Sequence, residues 1–147
     1  MMKKSKGIIN KRARFDYDLK DGLRVGVVLT GGETKALRSN GGQLTGSYVN
    51  IKDDELWLIG STIRSVNPND KDEQRSRKLL AKKREIAELS RKKEQGLSIV
   101  PIRFLTDGRY IKLEIATGKG KKRYDKRQVI KKRDEERNIS RSIKSRI

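Results

Sequence analysis

The chain has 147 residues, with 38 Lys+Arg against 19 Asp+Glu, no cysteine and no histidine. That composition excludes disulfides, thiolate and imidazole metal sites, and Ser-His-Asp or Cys-His catalysis; only carboxylate or Mg²⁺ chemistry stays open to an enzyme, and the acids are scattered among bases rather than paired. A net charge of +19 repels itself in a free protein and is relieved by a polyanionic partner, nucleic acid first and an anionic membrane surface second, although no long apolar face exists to insert.

Residues 1–14 read as a basic, loosely ordered arm. They contain no apolar stretch of the kind that opens a secretory signal, and no run in the chain approaches the 18 apolar residues of a spanning helix. With cysteine absent, a cytoplasmic protein is expected. "LRVGVVLTG" (23–31) is β-branched and apolar, which predicts a strand. Thr30 followed by Glu33 is a capping box opening a short helix, with Ala36 and Leu37 as its apolar face and Gly41-Gly42 as its stop. In "SYVNIKDDELWLIGSTI", Tyr48, Asn50 and Lys52 alternate with Val49 and Ile51, and Asp53-Asp54 is a hairpin turn. "NPNDKDEQ" (67–74) is a loop. "RSRKLLAKKREIAELSRKKEQG" has helical periodicity, with Leu79, Leu80, Ile86 and Leu89 near one face, bases on the other and Gly96 as its stop. "LSIVPIRFL" and "YIKLEIAT" form an antiparallel hairpin around "TDGR", with Lys112 and Glu114 facing outward and Ile111, Leu113 and Ile115 inward.

Short strands separated by Gly turns and flanked by helices predict a mainly β protein, a small closed antiparallel barrel of which the OB type is one. Trp57 and Phe104, in apolar strands, are expected in its core. The domain is expected over 15–117, followed by a tail over 118–147 that holds 13 basic and 4 acidic residues, nearly half the net charge. Ile139, Ile143 and Ile147 are spaced for one thin helical stripe, too sparse to hold a helix in water; the tail is expected to be disordered when free and ordered on RNA. Gly120-Lys121 resembles the end of a phosphate loop, but Ile115 stands at the first glycine position and Lys122 where Ser or Thr is required, so the motif fails. The basic face at Lys82, Lys83, Arg84, Arg91, Lys92 and Lys93 reads as solvated surface alone, and as phosphate-contacting beside so much other charge. Tyr124, among charges and outside the fold, has a ring free to stack on a base.

The blocks "NKRARFDYDL", "GVVLTGGETKALR", "SYVNIK", "RSRKLLAKKREI", "GLSIVPIRFLTDGRYIKLEI" and "GKGKKRYDKR" resemble, in order and spacing, the signature blocks of the small protein B (SmpB) family of SsrA (tmRNA)-binding proteins, from about Asn10 to Asp134. The resemblance implies an OB-like barrel with flanking helices and no enzymatic activity, metal or cofactor. It implies binding to the tRNA-like part of tmRNA, delivery with elongation factor Tu to ribosomes stalled on truncated messages, and a monomer whose tail enters the empty mRNA channel near the decoding centre. It places Leu80 and Lys112 against tmRNA, with Arg12, Arg14, Lys35, Arg38, Arg77 and Lys78 as further RNA-facing cations. Lys121, Lys122, Tyr124, Asp125, Lys126 and Arg127 are placed on the ribosome. Two departures stand out. "GGETKALR" carries Thr34 and Ala36 in place of the family's valine and serine, and Arg24 stands where many members have glutamate. A structural ribosomal protein shares the composition but not the block pattern. Fully helical, residues 121–147 would reach roughly 40 Å, a length suited to probing a channel.

Overall fold

In a computed structural model the described residues are 8–121 together with Arg127 and Ile130. The elements run α1 (Ala13–Asp16), β1 (Tyr17–Val27), α2 (Gly31–Arg38), β2 (Gly42–Gln43), β3 (Tyr48–Lys52), β4 (Glu55–Ile59), β5 (Thr62–Ile63), β6 (Arg77–Leu80), α3 (Lys83–Glu94), β7 (Ser98–Leu105) and β8 (Lys112–Gly120). The protein is mainly antiparallel β with a few helices. Six strands form one sheet in the order β3-β4-β6-β1-β8-β7, and β2 pairs with β5 in a separate ribbon.

The expected closed barrel is not reached. The sheet curls until its edge strands β3 and β7 face each other, but no ladder joins them. A cleft of about 470 Å³ lies between them, bordered by Tyr48–Asn50 on one side and Leu97–Val100 on the other. The enclosed face carries the core: Val25, Leu56, Leu58, Leu79, Phe104, Leu113 and Ile115 are all buried, joined by Leu37 of α2 and Leu89 of α3.

Local signals are realised where partners are near. The Thr30 hydroxyl accepts from the Glu33 N–H at 3.1 Å and the Glu33 carboxylate accepts from the Thr30 N–H at 3.0 Å. Asp53 and Asp54 both take positive φ, +52° and +59°, in the two-residue turn that pairs Lys52 with Glu55, the conformation a type I′ hairpin demands.

Four expectations are corrected. Arg77–Leu80 is not the first turn of a helix but β6, pairing with β1 and β4, and α3 begins only at Lys83; ladder bonds and burial of Leu79 override the helical propensity of the segment. Trp57 is not core. It alternates outward between buried Leu56 and Leu58. The arm is not loose from residue 8 onward: Ile8 is buried, its carbonyl accepts from the Phe104 N–H at 2.9 Å, and the Asn10 N–H donates to the Ile102 carbonyl at 2.7 Å, which covers part of β7's edge. Finally, β8 continues past Thr117 to Gly120, because β1 starts at Tyr17, before a bulge between Lys20 and Leu23, and so offers partners to residues 118–120.

Candidate nucleic-acid interface

Residues directly opposite in an antiparallel ladder put their side chains on the same face. Leu80 lies opposite Gly26, and Gly26 opposite Lys112. The two positions singled out from sequence therefore flank one glycine on the outer face of the sheet. Leu80 is 53% exposed, and Lys112 is exposed with no ion-pair partner among the described residues. A Cβ on Gly26 would sit 3.2 Å from Leu80 Cβ, so the glycine lets the isobutyl group lie down across β1.

Neighbouring rows extend the face. Lys78 lies opposite Trp57, and its Nζ is 3.0 Å from Glu55 Oε1 with both side chains partly exposed. Val28, 44% exposed, is tied to the Lys78 carbonyl. Glu114 lies between Arg24 on β1 and Arg103 on β7, and Arg103 Nε donates to it at 3.0 Å. Arg24 thus faces an acid across the ladder. Such a surface, cationic and interleaved with exposed apolar groups, can meet phosphates and base or ribose surfaces together. Trp57 and Val28 were missed because alternation alone does not say which face of a strand is covered.

Arg77 does not belong to that face. It is fully buried, and its guanidinium donates to Glu33 Oε2 from Nε (3.1 Å) and Nη2 (2.7 Å), to Ser61 and to the carbonyls of Arg75 and Glu73. Arg75 also donates to both Glu33 oxygens. Burial raises the Glu33 pKa, but hydrogen bonds from Arg75, the Thr30 N–H and Arg77, with the charge of Arg77, outweigh it and hold the carboxyl below its ordinary value. Ser65 and Thr30 hydroxyls donate to Asp70 at 2.6 and 2.7 Å, pinning the 64–76 connection to the start of α2 and lowering the Asp70 pKa. Alternation along Arg77–Leu80 puts Arg77 and Leu79 inside and Lys78 and Leu80 outside, so one short strand separates a structural arginine from two outward groups.

The remaining cations frame the face at its two ends. Ala13 of α1 packs on Val100, Ile102 and Ala116 in a second small core. Ala116 is four residues from Lys112 on the same face of β8, roughly 13 Å, which brings exposed Arg14 and Arg12 to that end; Arg12 pairs with Asp16 at 3.2 Å. At the other end α2 presents exposed Lys35, without an ion-pair partner among the described residues, and Arg38. Lys121, the first residue after β8, is bound to the body: its N–H donates to the Asp16 carbonyl at 2.8 Å and its Nζ to the Arg14 carbonyl at 2.9 Å. Arg127 is exposed. Lys122, Tyr124, Asp125, Lys126 and the isoleucine stripe lie outside the described residues. The described basic side chains of α3 are mostly exposed; Lys92 pairs with Asp21 at 3.1 Å, which raises its pKa. Among the described residues no cluster of three or more acidic groups could hold a metal ion, and no helix is long and apolar enough to cross a membrane.

A partly open antiparallel β body with a cationic, apolar-studded outer face is the architecture of a nucleic-acid-binding module. The family model for SmpB protein matches residues 8–145. An SsrA-binding protein of Sulfurihydrogenibium sp. (strain YO3AOP1) is 43% identical over 142 residues, covering 94% of this chain and 93% of the relative. One of Paraburkholderia xenovorans (strain LB400) is 43% identical over 146 residues, covering 94% and 97%. A solved structure described as "tmRNA-SmpB: a journey to the center of the bacterial ribosome" superposes with a TM-score of 0.67 at 33% identity, over 84% of this chain and 94% of the other. This chain belongs to the SmpB family.

Proposed function

We propose that the chain is an RNA-binding adaptor of trans-translation. Its outer β face grips the tRNA-like part of tmRNA (SsrA RNA) and presents it to ribosomes stalled on truncated messages, with elongation factor Tu engaged indirectly through the aminoacylated RNA. The observation that carries this reading is the row Leu80–Gly26–Lys112, which brings residues from three strands into one exposed apolar and cationic strip in a chain of the SmpB family. Lys78, Lys35, Arg12 and Arg14 frame the strip and supply long-range attraction to phosphate, with Arg38 beside them. With about 6–10 phosphate contacts, affinity should fall roughly 10³–10⁵-fold between 50 and 200 mM salt.

In the same reading the chain beyond β8, residues 121–147, serves a second partner. Anchored at Lys121, the tail enters the empty mRNA channel, and Tyr124, Asp125, Lys126 and Arg127 act at the decoding centre beside Lys122. The chain performs no chemistry of its own. The test separates the two halves by pairing RNA titration with peptide tagging on a non-stop message in reconstituted translation. Lys112→Ala should weaken RNA binding with the fold intact. Alanines at Asp125, Lys126 and Arg127, which remove a net charge of only +1, should abolish tagging while RNA affinity barely moves. Normal tagging by the triple variant, or equal loss of binding and tagging, overturns the two-part reading.

A further inference from the structure

The hairpin between β7 and β8 is not the tight turn that Asp107-Gly108 suggests. The last ladder pair is Leu105 with Lys112, so residues 106–111 leave the sheet as a six-residue loop, and neither Asp107 nor Gly108 adopts positive φ. Ile111, only 5% exposed, anchors the end of that loop in the core. Tyr110 precedes it and points the other way, 71% exposed, more than any other large apolar side chain among the described residues. The guanidinium of Arg109 lies over its ring, 5.6 Å from the centroid.

The loop is clamped from α2. Arg38 Nη1 donates to the Thr106 carbonyl at 3.3 Å, and Nη2 to the carbonyls of Gly108 and Arg109 at 3.0 and 2.9 Å. Three carbonyls held by one planar cation fix the backbone on which Tyr110 is displayed. A ring held ready in this way loses little conformational freedom on binding. Lys112, two residues on, lies within about 7 Å along the chain, a distance that one nucleotide spans between its base and its phosphate.

We propose that Tyr110 and Arg109 form a docking point for an unpaired RNA base beside the Leu80–Lys112 strip, and that Arg38 is the residue that positions it. The proposal rests on the RNA-binding reading above and adds to it a ligand and a place. The base stacks on the phenol ring, as unstacked bases do on aromatic and guanidinium planes. Arg109 contributes its plane and charge, and Lys112 takes the adjoining phosphate. Arg38 then acts by holding the loop rather than by touching RNA.

The experiment titrates the folded full-length chain with tRNA-like RNA carrying 2-aminopurine at single unpaired positions, alongside thermal melts. Tyr110→Ala should weaken binding about 5- to 150-fold and abolish fluorescence quenching at one of those positions, with an unchanged melting temperature. Tyr110→Phe should behave as the parent, because the ring stacks and the hydroxyl does not. Arg38→Ala should weaken binding alone but add little to Tyr110→Ala, since both act through the same ring. Parental affinity for Tyr110→Ala, or equal losses for Tyr110→Ala and Tyr110→Phe, overturns the docking point. Fully additive losses for Arg38→Ala and Tyr110→Ala overturn the positioning role. Lys112→Ala in the same titration separates the levels. If it loses affinity while Tyr110→Ala does not, only this inference falls; if neither loses affinity, the RNA-binding reading of the face falls with it.

Discussion

Replacing Arg77 by methionine removes a guanidinium that donates six hydrogen bonds in a fully buried site. Methionine restores much of the volume but none of the donors. Glu33 keeps the Thr30 N–H and Arg75, whose side chain is 35% exposed, and loses the one partner that shares its burial. The carbonyls of Ser61, Glu73 and Arg75 lose a donor as well. Breaking a buried pair from one side costs about 3–5 kcal/mol, against a total of about 5–15 kcal/mol for a domain. At about 4 °C per kcal/mol for a domain of this size, the melting temperature should fall by about 12–20 °C. Circular dichroism melts at pH 7 read this directly. Glu33→Gln alone should also destabilise, and the double variant should lose less than the sum, because neither charge is then left alone. RNA titration adds a second readout. Below its melting temperature Arg77→Met should keep the parental salt slope, whereas Lys112→Ala should lower that slope by about one. An unchanged melting temperature, or a slope reduced as by Lys112→Ala, refutes the assignment of Arg77 to the fold.

The Glu33 pKa is held below its ordinary 4.5, so its contribution is complete above that pH and is lost as pH falls through the folded value; melting temperature should drop on acidification below about 4.5, and Glu33→Gln should flatten that drop. Gly118→Ala should destabilise by about 1–3 kcal/mol, since the new Cβ would lie 2.1 Å from the Asp18 carbonyl oxygen in the paired strand; a parental melting curve would contradict this. Gly26→Ala would put its Cβ 3.2 Å from Leu80 Cβ, a side-chain atom fixed by β6, so the two strands must part by a few tenths of an ångström; stability should fall less than for Gly118→Ala, while RNA affinity falls as Leu80 is lifted from β1. Melts and gel-shift titration distinguish the two glycines.

Much of this protein is determined by residues close together in sequence. The Thr30–Glu33 box spans four residues, the Asp53-Asp54 turn needs only two residues that tolerate positive φ, and the alternation through Ile111, Lys112, Leu113, Glu114 and Ile115 sets which side chains face out. Total charge points to a polyanionic partner, and the missing histidine and cysteine exclude imidazole and thiolate chemistry, without any structure. What only the tertiary structure decided has distant partners. Arg77–Leu80 carries helix-forming residues, yet pairing with Gly26-Val27 and Leu56–Leu58 makes it a strand. The resemblance placed Arg77 among the RNA-facing cations; Glu33, 44 residues away, takes it into the interior. Asp107-Gly108 is a local turn signal that the six-residue loop does not follow, and the carbonyls of that loop are held by Arg38, about seventy residues back. Trp57 faces out because its strand's other side is already filled by Leu56 and Leu58. Local preferences differ by about 1 kcal/mol or less per residue, whereas a strand's ladder bonds and the burial of even one leucine together exceed that; where they disagree, the long-range partners win.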